Sequence, residues 1–484
     1  MRNWCKLGLL WTCCQLAMAQ DVISVFPMKN YDQNVANWIK PSSADYDTPL
    51  VSKEYQQQRY VEFYQRYYAS DDSALSPWGS NYVNAALVQS ESTNIILQES
   101  QVIASFIKNH QTNPKKIAYG ENYRPYDMKW FTKIAANMSL NDRVNLNYSP
   151  IQRAIAVDNL LMRTLPTMDP LFYNSKIAGE GYPFDNLQET AIFIGMPLYV
   201  IKQSADKEWS LVIASDDIGW VKTSGLAKVD DKFIQAWQSA VKNGVVAITQ
   251  QSSLLDKYGE FRAMAYNGTS LPLAKQTESN YEVLLPAANL QHKKAEIVSV
   301  GLNKSVAAVM PLALTPHNMA NIMNSQIGKP YGWGGTFFDY DCSAEMKALF
   351  TPFAIYLPRN SSEQSSAGKT INLDKLTTRE REEYLINNGH KFLTLVQIPG
   401  HILLYIGNYT NPNSAKHETV ALSYQNIWGL RTRENDTRAV VGGAVIFPLL
   451  PTYPENSDFL SFYDQQARTK FRLVYLDESG VSTQ

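Results

Sequence analysis

The sequence has little excess charge, no long hydrophobic run and no recognisable metal-binding motif. Its 44 Lys and Arg nearly balance its 45 Asp and Glu, for a formal net charge of −1. This balance argues against a nucleic-acid-binding protein, because such proteins usually carry a basic excess. No stretch approaches the roughly 20 apolar residues of a membrane span. Neither an HExxH nor a paired CxxC motif occurs, so no metal and no cofactor are predicted.

The composition is otherwise that of a folded protein with large cores. Hydrophobic residues make up 45% of the chain and charged residues 18%, and 10 Trp, 28 Tyr and 18 Phe are present. Such a chain can bury enough apolar surface to fold and is not disordered. At roughly 150 residues per domain, its length predicts about three compact units.

Residues 1–19 have the pattern of a signal peptide. Two basic residues precede an apolar run at residues 7–18, and the small residues of Ala17-Met18-Ala19 match a cleavage site. We therefore expect an exported protein, located in the periplasm or cell envelope of a bacterium. A lipid-attachment site at Cys13 is the alternative, which the bulky Trp11 disfavours.

Cysteine is scarce in a way that points to function. Of the four cysteines, Cys5, Cys13 and Cys14 lie in the predicted signal peptide, and Cys342 is left alone in the exported chain. An intramolecular disulfide is then impossible. A lone thiol in an oxidising compartment is either a small buried hydrophobe or a group with a chemical use.

The predicted secondary structure changes twice after the signal peptide. Residues 20–150 are predicted to be mainly helical, with helices near 52–68, 87–110 and 127–138. Short β-rich runs then fill two units, 151–235 and 236–312, and the Trp209…Gly219-Trp220-Val221 spacing of the first resembles bacterial SH3-like barrels. Residues 313–484 combine helices with antiparallel strands. The predicted fold class is multi-domain α+β.

Cys342 is predicted to begin a helix. The segment after it, AEMKALF, has the apolar spacing of a buried helix. At a helix N-terminus the free backbone N–H groups and the helix dipole favour a thiolate, and the same groups can bind an oxyanion. The position predicts a nucleophile.

A base for this nucleophile is predicted at His401, which opens a strand directly after a Pro-Gly turn. If this strand and the next pair as a hairpin with Gly407 opposite Thr419, His401 faces Gln425. The Gln425 carbonyl would then accept a hydrogen bond from the imidazole and fix its tautomer. His417, in the loop at the far end of the hairpin, is the alternative third residue.

Three segments of the last third, QIGKPYGWGG, DCSA and GHILLYIGN, resemble the NlpC-type family of papain-like cysteine peptidases. GEGYPFDNLQ, LFTPFAIYLPRNSSEQ and YQNIWGLRT are similar to the exported γ-D-glutamyl-L-diamino acid endopeptidases of that family. The resemblance implies a helical stabilising region, two SH3-like barrels and a papain-like catalytic domain. It also implies hydrolysis, through a thioester, of the γ-D-glutamyl–diamino acid bond in peptidoglycan stem peptides.

The resemblance also assigns residues. It implies Cys342 as nucleophile, His401 as base, Gln425 as third residue and Tyr331 as an oxyanion ligand. It implies further substrate contacts at a group of polar residues: Asp341, Ser343, Arg359, Asn360 and Ser361. Related enzymes often have Asp where this chain has Asn360, which puts the contact with a substrate amine in doubt.

Further features of the site remain open at the level of sequence. Tyr182 and Asp185 are candidates for a wall that closes one end of the groove, or for plain structural turns of the barrel. Two other functions remain possible: a catalytically inactive protein that binds cell-wall peptides, and an acyltransferase or amidase on the same scaffold. The partners expected are muropeptides rather than nucleic acid or membrane, and we expect a monomer.

Overall fold

The computed structural model describes residues 23–90, 93–177, 179–289, 294–410, 418–434 and 437–478. The predicted signal peptide, including Cys13, lies outside the described residues, as does His417. Within the described part of the chain, no helix is long and apolar enough to cross a membrane. The prediction of a multi-domain α+β fold is confirmed.

The N-terminal region is helical, as predicted, apart from its first strand. Ser52, Asn94 and Asp127 begin three of its helices, because each side chain accepts a hydrogen bond from a backbone N–H of the first turn. The helix predicted over 87–110 is instead two helices, since Gln89 takes a positive φ of 57°. The elements are β1 (Ile23–Val25), α1 (Val35–Trp38), α2 (Lys53–Tyr67), α3 (Ser80–Val88), α4 (Ile95–Thr112) and α5 (Met128–Met138).

A first antiparallel β unit follows, closed around two tryptophans. Trp220 is fully buried and Trp209 nearly so, in a core shared with the N-terminal helices. The strands are β2 (Arg153–Ala156), β3 (Leu160–Arg163), β4 (Gln188–Ile192), β5 (Pro197–Gln203), β6 (Trp209–Ile213), β7 (Ile218–Lys222) and β8 (Leu226–Lys228).

A helix connects this unit to a second one. The predicted boundary between residues 235 and 236 falls inside this helix, whose Trp237 is buried against the N-terminal helices and the second unit. The two units share one continuous sheet through a parallel pair between Lys228 and Lys294. The elements are α6 (Asp231–Val241), β9 (Val245–Ile248), β10 (Ser252–Asp256), β11 (Phe261–Ala265), β12 (Ser270–Gln276), β13 (Asn280–Asn289), β14 (Lys294–Asn303) and β15 (Ala307–Val309).

The last third is a sheet of seven strands covered by helices. Its elements are α7 (Pro316–Gln326), α8 (Cys342–Phe350), α9 (Ser361–Gln364), β16 (Lys369–Asn372), α10 (Thr378–Asn388), β17 (Thr394–Ile398), β18 (His401–Thr410), β19 (Thr419–Arg431), β20 (Arg438–Leu449) and β21 (Arg472–Tyr475). The strand order is β1-β20-β19-β18-β17-β21-β16. The strand β1 at the edge comes from the N-terminal region and pairs in parallel with β20, which the sequence did not predict.

The register predicted for the β18–β19 hairpin is wrong. Gly407 pairs with Leu422 rather than with Thr419, and the register shifts between Tyr405 and Gly407. Gly407 has a φ of 116°, a conformation that favours glycine and suits such a bulge. Continued toward the start of β18, the register places residue 403 opposite Gln425. His401 is therefore a diagonal neighbour of Gln425 on the same face of the sheet.

Candidate active site

Cys342 is the first residue of α8, as the sequence predicts. The helix begins there because Asp341 caps it, accepting a hydrogen bond from the Ala344 backbone N–H at 3.0 Å. The thiol is largely buried, with 7% of the residue exposed. The backbone N–H of Ile402 donates toward its sulfur. Because Ile402 follows His401 in β18, the fold brings the nucleophile helix to the start of the strand that carries the predicted base.

The charge state of Cys342 differs from the one expected at a helix N-terminus. Burial raises the pKa of the thiol to about 12, and the negative charge of Asp341 adds to this shift. The Ile402 amide and the Arg359 charge oppose it but are weaker. Desolvation of a thiolate at this depth outweighs the helix dipole, so Cys342 is a neutral thiol in the free protein.

A chain of hydrogen bonds behind His401 fixes its tautomer. The Ser423 hydroxyl donates to the Phe447 carbonyl at 2.7 Å, so its oxygen accepts from Gln425 Nε2 at 3.0 Å. This orients the Gln425 amide with its oxygen toward His401, where Oε1 lies 2.7 Å from the imidazole Nε2. An amide oxygen only accepts, so Nε2 carries the proton and Nδ1 is left as the basic atom.

His401 is neutral at physiological pH. Burial lowers the pKa of its imidazole to about 4, and the positive charge of Arg468 contributes. The hydrogen bond to Gln425 and the charge of Asp341 oppose this shift. Because Cys342 is also neutral, the free protein does not hold a preformed thiolate–imidazolium pair.

Three of the predicted substrate contacts form a buried network under the nucleophile. Arg359 makes a two-pronged pair with Asp341, at 2.6 and 3.1 Å, and donates to Ser343 Oγ at 3.0 Å. Its Nε donates to Thr190 Oγ1 of β4 at 2.8 Å. Each of these residues is at most 6% exposed. The network holds the N-terminus of α8 and ties it to the first β unit, while direct contact with substrate remains a prediction.

Asn360 and Ser361 lie at the start of α9. Asn360 is exposed, and its side chain does not cap the helix. Ser361 is partly exposed. Their side chains are accessible, unlike that of Arg359 beside them, and their contact with substrate also remains a prediction.

Tyr331 lies beside the nucleophile. Its pKa is raised well above the usual range, first by burial and then by the proximity of Cys342 and Asp341. The phenol therefore stays protonated and can donate a hydrogen bond close to the sulfur, as an oxyanion ligand must. A bond from its backbone N–H to the Gly442 carbonyl, at 2.9 Å, holds this segment against β20.

Aromatic side chains of the first β unit and of the last third pack together as a wall next to Tyr331. Phe184 packs edge-on against Trp333 and Trp428 with ring centroids 5.1 and 6.2 Å away. Tyr182, 60% exposed, meets Trp428 edge-on at 6.3 Å. Sequence reasoning identified Tyr182 but missed Trp428, whose WG pair follows Gln425 closely enough to have been a signal.

Asp185, the other candidate for this wall, serves a structural purpose. Its carboxylate accepts from Arg163 at 2.6 Å and from the backbone N–H groups of Leu171 and Leu187. It is 7% exposed. The alternative of a structural turn therefore holds for Asp185.

The roles of two supporting residues could not be predicted from the sequence. Ser423 orients Gln425, and Thr190 anchors Arg359 from another domain. Neither has a motif, because each acts only through a partner that the tertiary fold supplies. Among all the residues that the structure describes, no group of three or more His, Cys, Asp or Glu could hold a metal ion.

Two family models match the regions of the chain that contribute residues to the site. Residues 328–433 match the model of the NlpC/P60 family, and residues 170–222 match that of an SH3 domain of the SH3b1 type. These ranges lie inside the predicted catalytic domain and the first predicted barrel.

Two curated proteins are similar to parts of the chain. A γ-D-glutamyl-L-lysine dipeptidyl-peptidase of Bacillus subtilis (strain 168) is 23% identical over 233 residues, 46% of this chain and 71% of that protein. A probable endopeptidase NlpC homolog of Haemophilus influenzae is 31% identical over 107 residues, 22% of this chain and 52% of that protein.

One solved structure resembles nearly the whole chain. It is that of an NlpC/P60 endopeptidase from Photobacterium damselae subsp. piscicida, with 28% sequence identity and a TM-score of 0.78. The alignment covers 93% of this chain and 98% of that one. The similarity therefore extends beyond the region around Cys342 to the helical and β units before it.

Proposed function

The chain carries an NlpC/P60 domain together with an SH3 domain, and from this premise we propose that it is a cysteine peptidase that hydrolyses peptidoglycan stem peptides. The bond proposed is the one between the γ-carboxyl of D-Glu and a diamino acid. The relative from Bacillus subtilis, named for γ-D-glutamyl-L-lysine, supports this choice. The observation that carries the proposal is the 2.7 Å contact between His401 Nε2 and Gln425 Oε1, next to Ile402, whose backbone N–H donates toward the sulfur of Cys342 at the start of α8.

In the proposed mechanism His401 Nδ1 accepts the thiol proton as the Cys342 sulfur attacks the γ-glutamyl carbonyl carbon. A carbon–sulfur bond forms, and the carbonyl oxygen becomes an oxyanion stabilised by the Cys342 backbone N–H and the Tyr331 hydroxyl. The imidazolium then protonates the departing amine as the carbon–nitrogen bond breaks. Water, deprotonated by His401, hydrolyses the thioester and restores the thiol.

The proposal extends to substrate form and location. Tyr182, Trp428 and Phe184 form a bulky wall at the site, which favours short stems with a free N-terminal L-Ala over stems still attached to glycan. Export to the periplasm or cell envelope, on the basis of the signal-peptide pattern at residues 1–19, would place the enzyme where such peptides occur.

The test is hydrolysis of defined muropeptides, followed by mass spectrometry of the products. The wild type should release an Ala–Glu dipeptide, and Cys342→Ala and His401→Ala should release none above the uncatalysed rate. His390→Ala is the matched control, because His390 pairs with Asp477 in another part of the domain and should retain full activity. Dipeptide release by Cys342→Ala would refute the assignment of the nucleophile.

A further inference from the structure

A carboxyl group is buried one turn beyond the nucleophile and has no part in the chemistry above. Glu345 lies on α8, three residues after Cys342, and is 1% exposed. Both of its oxygens have partners on β19. The Tyr424 hydroxyl donates to Oε1, and Asn426 Nδ2 donates to Oε2 at 3.4 Å.

The two donors lie on either side of Gln425. Side chains alternate along a strand, so Tyr424 and Asn426 share the face that packs on α8, and Gln425 projects from the other face toward His401. One carboxyl group therefore joins the helix that carries the nucleophile to the strand segment that orients the base.

The surroundings of Glu345 shift the pKa of its carboxyl group from the usual value for a glutamate. Lys329 after α7, Tyr340 before α8, and Asp341 at the helix cap are the other titratable groups that act on it. Burial raises the pKa of Glu345 to about 7, while the Tyr424 and Asn426 hydrogen bonds and the Lys329 charge oppose the shift. The group therefore changes charge near neutral pH in the middle of the domain.

We propose that Glu345 is a positioning residue. The two hydrogen bonds that it accepts from β19 hold α8 in place and so set the separation of Cys342 from His401. The inference rests on the proposed function and adds a residue to it. Ionised, Glu345 accepts two hydrogen bonds, and these are stronger than those accepted by a neutral carboxyl. Losing the carboxylate would loosen α8, and small misplacements of reacting groups reduce rates steeply.

The experiment compares Glu345→Gln with Glu99→Gln in the full chain. Glu99 is a matched control: it is 6% exposed, accepts a hydrogen bond from Trp220 Nε1 at 2.7 Å, and burial raises its pKa to about 7 as well. It lies in the N-terminal region, in a core separate from that of Cys342. Both variants are first checked for a cooperative unfolding transition.

Two measurements are made across pH 5 to 9, a range that spans roughly two units on each side of the Glu345 value. The first is kcat and KM for muropeptide hydrolysis. The second is the rate of Cys342 alkylation by iodoacetamide, which needs no substrate. For Glu345→Gln we expect kcat to fall about tenfold to a hundredfold with KM changed little. We also expect the loss of an inflection near pH 7 from both profiles, whereas Glu99→Gln should keep it.

A Glu345→Gln variant that folds and retains the wild-type kcat and alkylation profile would overturn the proposal. So would equal losses in both variants, because these would indicate a general effect of buried charge. If Glu345→Gln does not fold, Tyr424→Phe removes the donor to Oε1. Its kcat should also fall, and the inflection should move to higher pH because the Tyr424 hydrogen bond lowers the Glu345 pKa; a wild-type kcat with an unmoved inflection would overturn the proposal. A wild type that cleaves no muropeptide would refute the proposed function, while its alkylation profile would still test Glu345.

Discussion

Replacing Gln425 by Leu tests the central geometric claim about the site. Leu has a similar size but cannot accept a hydrogen bond, so the imidazole loses the partner at 2.7 Å that fixes its tautomer. During catalysis the imidazole becomes positively charged, and a hydrogen bond to a charged group contributes about 1.5–3 kcal/mol. Its loss should therefore lower kcat/KM by roughly tenfold to 150-fold.

The same substitution should move the acid limb of the pH profile. His401 must be neutral to act as a base, so activity falls as pH drops through its pKa of about 4. The Gln425 hydrogen bond raises this pKa against the effect of burial. Gln425→Leu should therefore shift the acid limb to lower pH, and Gln425→Glu, which adds a negative charge, should shift it to higher pH.

The assay is the pH dependence of kcat/KM for each variant, with NMR titration of the His401 ring as an independent measure of its pKa. Gln56→Leu is the control, because Gln56 is also buried, at 5% exposed, and donates to the Leu312 and Phe353 carbonyls away from the site. It should lower stability without moving the acid limb. Wild-type rates and an unmoved limb in Gln425→Leu would refute the tautomer argument.

Three further predictions concern the surroundings of the dyad. Arg359→Met leaves the buried Asp341 charge unpaired and should destabilise the protein by about 3–5 kcal/mol, measured by denaturant unfolding, whereas a change below about 1 kcal/mol would contradict the buried-pair assignment. Ser423→Ala frees the Gln425 amide to rotate and should lower kcat/KM about fivefold, less than Gln425→Leu, because a hydrogen bond between neutral groups contributes about 1 kcal/mol; an unchanged rate would show that Ser423 does not orient the amide. The alkylation rate of Cys342 should still rise with pH above neutrality, because its thiol is neutral there; a plateau already reached below pH 7 would indicate a preformed ion pair.

Local features of the site could be predicted because they depend on near neighbours in the chain. An Asp cap followed by apolar helical spacing places Cys342 at the start of α8. A Pro-Gly turn before a β-rich run places His401 at the start of β18. The helices α2 and α5 were predicted for the same reason.

The register between β18 and β19 could not be predicted in this way. The hairpin register that predicts Gln425 is wrong by three residues at Gly407, and His401 contacts Gln425 diagonally instead. A bulge changes register without a distinctive signal, because a glycine in a strand is compatible with several local conformations. The predicted partner Gln425 still contacts His401, because the two side chains lie on the same face of the sheet.

The sequence by itself determined which chemical groups are available and where each sits on its own element: one thiol at a helix start, one imidazole at a strand start and one amide on the next strand. Only the tertiary structure decided their charge states and their supports. Burial by distant segments makes Cys342 and His401 neutral, and Thr190 on another domain anchors Arg359. Helix caps and turns involve adjacent residues, whereas desolvation depends on every segment that packs around a group, and only the folded chain brings those segments together.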